Sequence, residues 1–235
     1  MIIYSVVEIK ILALDTATAA CSVALSINGE VRQRFEIAPR QHAELILPMV
    51  EQLLAEAGLH LTQLDAIAFG HGPGSFMGVR IATGIAQGLS FGADLPLIPV
   101  STLQVLAQTA YQKTADSNLL VAWDARMHAV YWGAYCLGAD QIMQPIQADA
   151  LSAPDKVFLP TEKKWSAAGN GWLAYQAELT AILDNCQTID TDIYPQADAL
   201  IRIAEVLYHQ GKRSTALEVE PVYLRDEVAK TMAER

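Results

Sequence analysis

Three short apolar segments follow one another near the start of the chain, and helix-like and strand-like segments alternate after them. The three are residues 11–14, 21–27 and 31–37, where apolar residues alternate with polar ones or run together between turn residues. Three strands in succession predict a meander, and the alternation that follows predicts helices packed on the same sheet. The opening of the chain therefore indicates an α/β domain with a mixed sheet.

The alternation continues to about residue 124. Residues 41–57 read as a helix that Gly58 ends, and residues 65–69 read as a buried strand that runs into a glycine-rich segment, residues 70–78. A second helix is predicted over about 78–91, and a strand over 96–100. Ser101 is the expected N-cap of a helix that reaches about residue 112, and residues 119–123 form the next buried strand.

After Asp124 the pattern starts again, with a strand over 128–137 and a last amphipathic helix over about 196–210. We therefore place a domain boundary near residue 125. Residues 1–125 form an N-terminal α/β domain that carries the glycine-rich loop, and residues 126–235 form a shorter C-terminal α/β domain. No low-complexity linker separates the two, so we expect them to pack closely.

Charge and composition restrict the functional classes. The chain has 16 Lys and Arg against 26 Asp and Glu, a formal charge of −10, and its basic residues form isolated pairs such as Lys163 with Lys164. Strong nucleic-acid binding by this chain alone is disfavoured. Charges or turn residues interrupt every apolar run before membrane-spanning length, and residues 1–7 do not read as a signal peptide. Three widely spaced cysteines fit reduced thiols, so we expect a cytoplasmic protein.

Two segments carry a family resemblance: ILALDTATAACSVAL (residues 11–25) and GHGPGSFMGVRI (residues 70–81). It continues through PLIPVSTL (96–103), DARM (124–127), VYW (130–132) and PVYLR (221–225), and so covers nearly the whole chain from residue 10 onward. Together these segments resemble the TsaB (YeaZ) family of tRNA threonylcarbamoyladenosine biosynthesis proteins, which is related to TsaD.

The resemblance implies the two-domain fold shared by actin, Hsp70-type ATPases and sugar kinases, with mixed sheets, flanking helices and a cleft between the domains. It also implies a non-catalytic scaffold. Members of the family support TsaD, with TsaE, in placing a threonylcarbamoyl group on the adenosine beside the anticodon of tRNAs that read codons beginning with adenine. The implied partners are TsaD in a heterodimer, TsaE, and a second copy of the chain in isolation, with tRNA reached only indirectly.

In this fold the first strand pair carries an acidic residue against nucleotide phosphate, and Asp15 and Thr16 stand at that place. Gly72, Gly74 and Ser75 precede a helix, where free N–H groups favour anions. Two interpretations stay open: a weak ATP or ADP contact by these five residues, or an architectural role in which glycines and Pro73 make a tight turn and Ser75 caps the helix. The absence of a P-loop Lys-Ser/Thr pair favours the architectural role.

Catalytic chemistry is not expected. The resemblance implies that TsaD holds a metal with a His-x-x-x-His pair on the helix after the Pro-Leu-x-x-Val strand. At those two positions this chain has Thr102 and Leu106. Two imidazoles one helical turn apart can coordinate one metal ion, whereas threonine and leucine at those positions cannot. Ser75 lies outside a Gly-x-Ser-x-Gly elbow. We therefore predict no catalytic residue, no metal and no resident cofactor, with a nucleotide-binding enzyme or a glycoprotease-like hydrolase as the alternative.

The partner surface is predicted on two helices. A helical wheel of residues 41–57 places one apolar arc against the sheet and leaves Leu45 and Met49 outside it as a second apolar fringe. The next helix carries Ala82, Gly84 and Gly88, small residues that suit close helix contact. In the family these two helices pair with those of a second subunit. The other interpretation, that the small residues fit the helix against its own sheet, carries equal weight.

Overall fold

The computed structural model describes residues 9–160 and 163–225. The predicted opening meander is confirmed, and helices alternate with strands after it. The elements of this first part are β1 (Lys10–Asp15), β2 (Ala20–Ile27), β3 (Glu30–Ile37), α1 (His42–Ala57), β4 (Ala66–Gly70), α2 (Phe76–Ala93), β5 (Leu97–Val100) and α3 (Thr102–Thr114).

The strands of this part form one five-stranded mixed sheet in the order β3-β2-β1-β4-β5. β1 pairs antiparallel with β2 and parallel with β4. Strand alternation sends Leu12 and Leu14 to one face, where α1 and α2 cover them, and Ile11 and Ala13 to the other. β1 is thus buried on both faces, which explains its continuous apolar run.

The second part of the chain begins with a hairpin and ends with a helix. Its elements are β6 (Asn118–Asp124), β7 (Val130–Leu137), β8 (Met143–Pro145), β9 (Ala150–Ser152), β10 (Trp165–Ala168), α4 (Gly171–Ala174), α5 (Gln176–Leu183), β11 (Cys186–Asp190) and α6 (Ala197–His209). The strands form a second mixed sheet in the order β11-β10-β6-β7-β8, and β9 pairs with β7. Trp172 of α4 and Leu179 of α5 pack on one face of this sheet, against Leu120 and Trp165.

The change from one sheet to the other falls at α3. Leu103 and Leu106 of this helix pack on the second sheet, whereas Val105 faces the core between the first sheet and α6. The predicted boundary at residue 125 lies instead in the turn between β6 and β7, which are antiparallel neighbours. α6 also returns to the first sheet, against Ile11 and Ala13. Strands and helices alternate in the same way on both sides of α3, so the pattern does not reveal which sheet β6 joins.

Helix ends follow the predicted caps. Ser75 Oγ accepts from the Gly78 amide at the start of α2, and Ser101 Oγ accepts from the amides of Leu103 and Gln104 at the start of α3. Gly58 ends α1 in the left-handed region, with φ 64°.

Among the helices of residues 9–160 and 163–225, none has the length and hydrophobicity that a bilayer crossing requires.

Candidate functional site

The predicted phosphate-contact residues lie close together at one edge of the first sheet. Asp15 ends β1 and Thr16 follows it, and the loop with Gly72, Gly74 and Ser75 follows β4. Because β1 and β4 are parallel neighbours, their carboxyl ends meet. The fold therefore brings these five residues together at one edge of the sheet.

Several hydroxyl and backbone groups at this edge, however, are hydrogen-bonded to one another. The Thr16 hydroxyl donates to the Gly78 carbonyl at 2.6 Å, and the Ser75 amide donates to the Ala17 carbonyl at 2.7 Å. A Cβ on Gly74 would lie 2.5 Å from the Ala17 oxygen, and one on Gly78 would lie 2.0 Å from the Thr16 oxygen. The glycines thus let the loop pack backbone to backbone on the β1–β2 turn, which agrees with the architectural interpretation.

Asp15 is the most perturbed carboxyl of this edge. Its Oδ1 accepts from the Ala17 amide at 2.8 Å, whereas its Oδ2 is buried and has no hydrogen-bond partner among residues 9–160 and 163–225. Burial raises the pKa of Asp15 from 3.8 to about 7, and the Ala17 hydrogen bond opposes that shift. The Thr102 hydroxyl, which is also buried and has no partner within the described part of the chain, lies near the same face of Gly70. Both groups occupy the core side of the loop.

Thr102 and Leu106 are both buried on α3, one helical turn apart. They lie where the resemblance expected the lost metal pair. Within the described residues, no three His, Cys, Asp or Glu side chains converge as a metal site would require. Metal content of the purified protein stays a prediction.

The segments that carry the family resemblance converge at this edge. The Val222 amide donates to the His71 carbonyl at 2.8 Å, so residues 221–225 lie against the glycine-rich loop. Arg225 then donates to the carbonyls of Ala125 and Arg126, at 3.1 and 3.2 Å, in the turn after β6. We call residues 219–225 the C-terminal strap. It joins the strand-end loops of the two sheets.

The turn after β6 has an unusual backbone. Arg126, Met127 and His128 all have positive φ, at 61°, 53° and 55°. Asp124 stabilises the turn, because its Oδ1 accepts from the Arg126 amide at 2.8 Å and its Oδ2 pairs with the Arg126 guanidinium at 2.9 Å. Side-chain and strap contacts thus hold a conformation that non-glycine residues rarely adopt.

Asp149 is a partly buried carboxyl that the sequence patterns did not predict. It accepts hydrogen bonds from the hydroxyls of Ser101 and Tyr135, beside a cavity of about 260 Å³. Burial raises its pKa, and the two hydrogen bonds oppose that rise. Because Ser101 also caps α3, Asp149 ties the loop before β9 to that helix. No sequence motif near Asp149 marks this contact.

The predicted fringe of α1 is corrected. Met49 belongs to the core of the first sheet, with 8% of its surface exposed, and Leu45 packs partly against the same core. Leu47, which a helical wheel of these residues places within the apolar arc, is instead exposed, at 41%. The apolar arc of α1 is wider than the sheet can cover, and the wheel could not fix which edge the sheet takes. The helix thus turns its Met49 side, rather than its Leu47 side, toward the sheet.

On α2 the predicted interface residues separate into two groups. Ala82 is fully buried in the core, so its assignment to an interface was wrong. Gly84 and Gly88 are exposed, and a Cβ on either would meet no atom of the described residues within 4 Å. Met77 and Phe91, 63% and 85% exposed, lie on the same side at seven-residue spacing from Gly84. These four residues are called the open face of α2.

The chain matches known proteins over most of its length. A family profile described as TsaD, tRNA N6-adenosine threonylcarbamoyltransferase, matches residues 35–233. A curated relative from Escherichia coli (strain K12), "tRNA threonylcarbamoyladenosine biosynthesis protein TsaB", is 42% identical over 226 residues, covering 94% of this chain and 96% of the relative. The Haemophilus influenzae protein of the same name is 41% identical over 237 residues, covering 94% and 95%.

Solved structures agree with these relatives. "YeaZ from Pseudomonas aeruginosa" superposes with a TM-score of 0.85 at 40% identity, covering 92% of this chain and all (100%) of that one. A second structure, described as an uncharacterized protein with similarity to peptidase YEAZ from Pseudomonas aeruginosa, has a TM-score of 0.84 at the same 40% identity and the same coverage of 92% and 100%.

Proposed function

Because the chain belongs to the TsaB (YeaZ) family, we propose that it is a non-catalytic scaffold subunit that acts with TsaD and TsaE. It has the family's two-sheet fold, of the actin, Hsp70 and sugar-kinase type, and the family's role in tRNA threonylcarbamoyladenosine biosynthesis. In this proposal TsaD modifies the adenosine beside the anticodon, in the cytoplasm, and this chain supports TsaD without touching the reacting atoms.

The observation that carries the proposal is the open face of α2. An exposed Phe91 and Met77 flank two glycines that let another backbone approach closely. Exposed glycines inside a helix each cost about 0.5–1 kcal/mol relative to alanine, and the first sheet gains no packing from Gly84 or Gly88. A docked helix of a second protein would use both the apolar side chains and the space beside the glycines. TsaD is the partner we assign, and a second copy of the chain takes its place in isolation.

The hydrogen bonds between the β1–β2 turn and the glycine-rich loop support a structural role for these residues. Thr16, Ala17, Ser75 and Gly78 satisfy one another, which leaves these groups engaged where a phosphate would need free donors. Ser75 Oγ accepts from a backbone amide and no described histidine or carboxylate bonds to it, so it lacks the base that an activated nucleophile needs. We propose that no cofactor is resident at this edge.

Two observations favour the alternative, an enzyme of the same fold. Asp15 has a raised pKa, a property that clusters at functional sites, and one solved relative is described as similar to a peptidase. Purified chain, assayed alone for ATP and peptide turnover, separates the two functions. We expect no turnover from the chain alone, and co-purification with TsaD. Robust turnover that Asp15→Asn or Ser75→Ala removes from a folded protein would establish the enzyme instead.

A further inference from the structure

Arg80 lies on the exposed side of α2, and two aromatic residues hold its side chain. The guanidinium carbon is 3.8 Å from the centroid of the Phe76 ring, one helical turn earlier. Its Nε donates to the Tyr223 hydroxyl at 2.7 Å, and the Phe76 and Tyr223 rings lie 5.6 Å apart. A cation over an aromatic face and a hydrogen bond at Nε together fix the plane of the guanidinium.

Tyr223 is itself held in place, because it belongs to the C-terminal strap. The Gln87 amide group donates to the carbonyls of Ala216 and Val219, at 2.9 and 3.1 Å, and the Val219 side chain is buried in the core of the first sheet. On the other side of Tyr223, Arg225 bonds to the turn after β6. The hydroxyl that holds Arg80 is therefore anchored before any partner binds, and less side-chain entropy is lost on association.

The guanidinium has binding capacity left. Its two terminal nitrogens make no hydrogen bond or ion pair with residues 9–160 or 163–225, whereas its Nε is engaged. Two parallel N–H groups in a fixed plane match the two oxygens of a carboxylate or a phosphate. Phe76 and Met77 beside it are half or more exposed, at 50% and 63%. Arginine, aromatic residues and methionine are the types enriched at the centres of protein interfaces.

We propose that Arg80, held by Phe76 and Tyr223, receives a carboxylate side chain of the partner protein that docks on the open face of α2. This inference rests on the proposed function and names the chemistry of the partner at that face. A protein carboxylate is favoured over an RNA phosphate for two reasons. Arg80 continues an apolar, glycine-lined helix face, and the chain has a charge of −10 that repels a polyanion.

Binding to purified TsaD tests the proposal through four variants. Arg80→Gln lowers the affinity at least about tenfold and reduces its dependence on salt, because a desolvated charge pair is lost. Arg80→Lys gives an intermediate affinity, since it keeps the charge but loses the planar fork. Tyr223→Phe weakens binding less than Arg80→Gln does. Arg202→Gln, an exposed arginine of α6 that pairs with Glu205, is the matched control and leaves the affinity unchanged. Thermal melts check that each variant is folded.

Cross-linking identifies the occupant. A carbodiimide joins an amine to an activated carboxylate as an amide, so Arg80→Lys yields a new link from position 80 to an Asp or Glu of TsaD, which wild type and Arg80→Gln do not form. With TsaD in excess, a link to a second copy of this chain and none to TsaD would overturn the assignment. An Arg80→Gln variant that binds TsaD as tightly as wild type would also overturn it. The same holds for an Arg80→Gln variant that loses affinity for tRNA but not for TsaD. Wild-type chain that fails to bind TsaD would overturn the proposed function and this inference together, a result distinct from the others.

Discussion

The Asp15 carboxylate packs directly against the backbone of Gly70, so that a Cβ on Gly70 would lie 1.8 Å from Asp15 Oδ2. This contact joins the end of β1 to the start of the glycine-rich loop. It requires glycine at position 70, and it leaves Asp15 Oδ2 buried with no hydrogen-bond partner in the part of the chain that the structure describes.

The first prediction concerns that glycine. Gly70→Ala forces the added methyl group into the carboxylate, and we expect it to lower the free energy of unfolding by about 1–3 kcal/mol. Gly84→Ala is the matched control, because its methyl group meets no atom within 4 Å. It should stabilise the free chain by about 0.5–1 kcal/mol through helix propensity. Urea denaturation of both variants measures this, and equal stability of Gly70→Ala and wild type would show that the loop moves freely away from β1.

The second prediction is a pH dependence. Burial raises the pKa of Asp15 from 3.8 to about 7, so between these values the unfolded carboxyl has lost its proton while the folded one resists losing it. The Asp15 contribution to stability therefore falls as pH rises through this window, by at most about 1.4 kcal/mol per pH unit. His71 acts oppositely, because burial lowers its pKa from 6.5 to about 4.

Comparing Asp15→Asn with wild type isolates the Asp15 contribution. The variant should gain stability relative to wild type as pH rises from 4 to 7, and the difference should level off above 7. Asp184→Asn, which changes an exposed carboxyl, should show no such trend. Denaturation midpoints at half-unit pH steps provide the measurement. A constant difference between Asp15→Asn and wild type would mean that the Asp15 pKa is not raised.

The third prediction separates stability from association. Met77→Glu with Phe91→Glu should leave the chain folded and abolish binding to TsaD, because a carboxylate is cheap in water and costs several kcal/mol when buried unpaired. Leu173→Glu, at an exposed position of α4, is the control that should bind normally. Met49→Glu should instead unfold the chain, since Met49 is in the core. Normal binding by the double variant in size-exclusion chromatography would place the interface elsewhere.

The fourth prediction is weak tRNA binding by the chain alone. A charge of −10 with dispersed cations gives little counterion release, so a gel shift at physiological salt should show no sub-micromolar complex without TsaD. Sub-micromolar binding would contradict this and direct attention to Lys163, Lys164, Lys212 and Arg213.

Local signals were read correctly from the sequence, and long-range ones were not. Ser75 and Ser101 cap their helices as predicted, because capping depends on neighbouring residues only. The predicted orientation of α1 was wrong. Its apolar arc is wider than the surface that the sheet covers, so tertiary packing decides which edge of the arc is buried. Arg80 and Tyr223 lie far apart in sequence, and neither residue alone signals their contact. The place of β6 in the second sheet likewise depends on strand pairing that periodicity does not encode.

The most direct test of the scaffold role is an omission experiment in a reconstituted mixture of TsaD, TsaE, substrate tRNA and the threonylcarbamoyl donor. We predict that modification requires this chain in amounts stoichiometric with TsaD. Asp15→Asn and Ser75→Ala should replace wild type fully, whereas the Met77→Glu, Phe91→Glu variant should not. Modification that proceeds without the chain would contradict a non-catalytic scaffold acting through the open face of α2. So would a folded Asp15→Asn or Ser75→Ala variant that does not support modification.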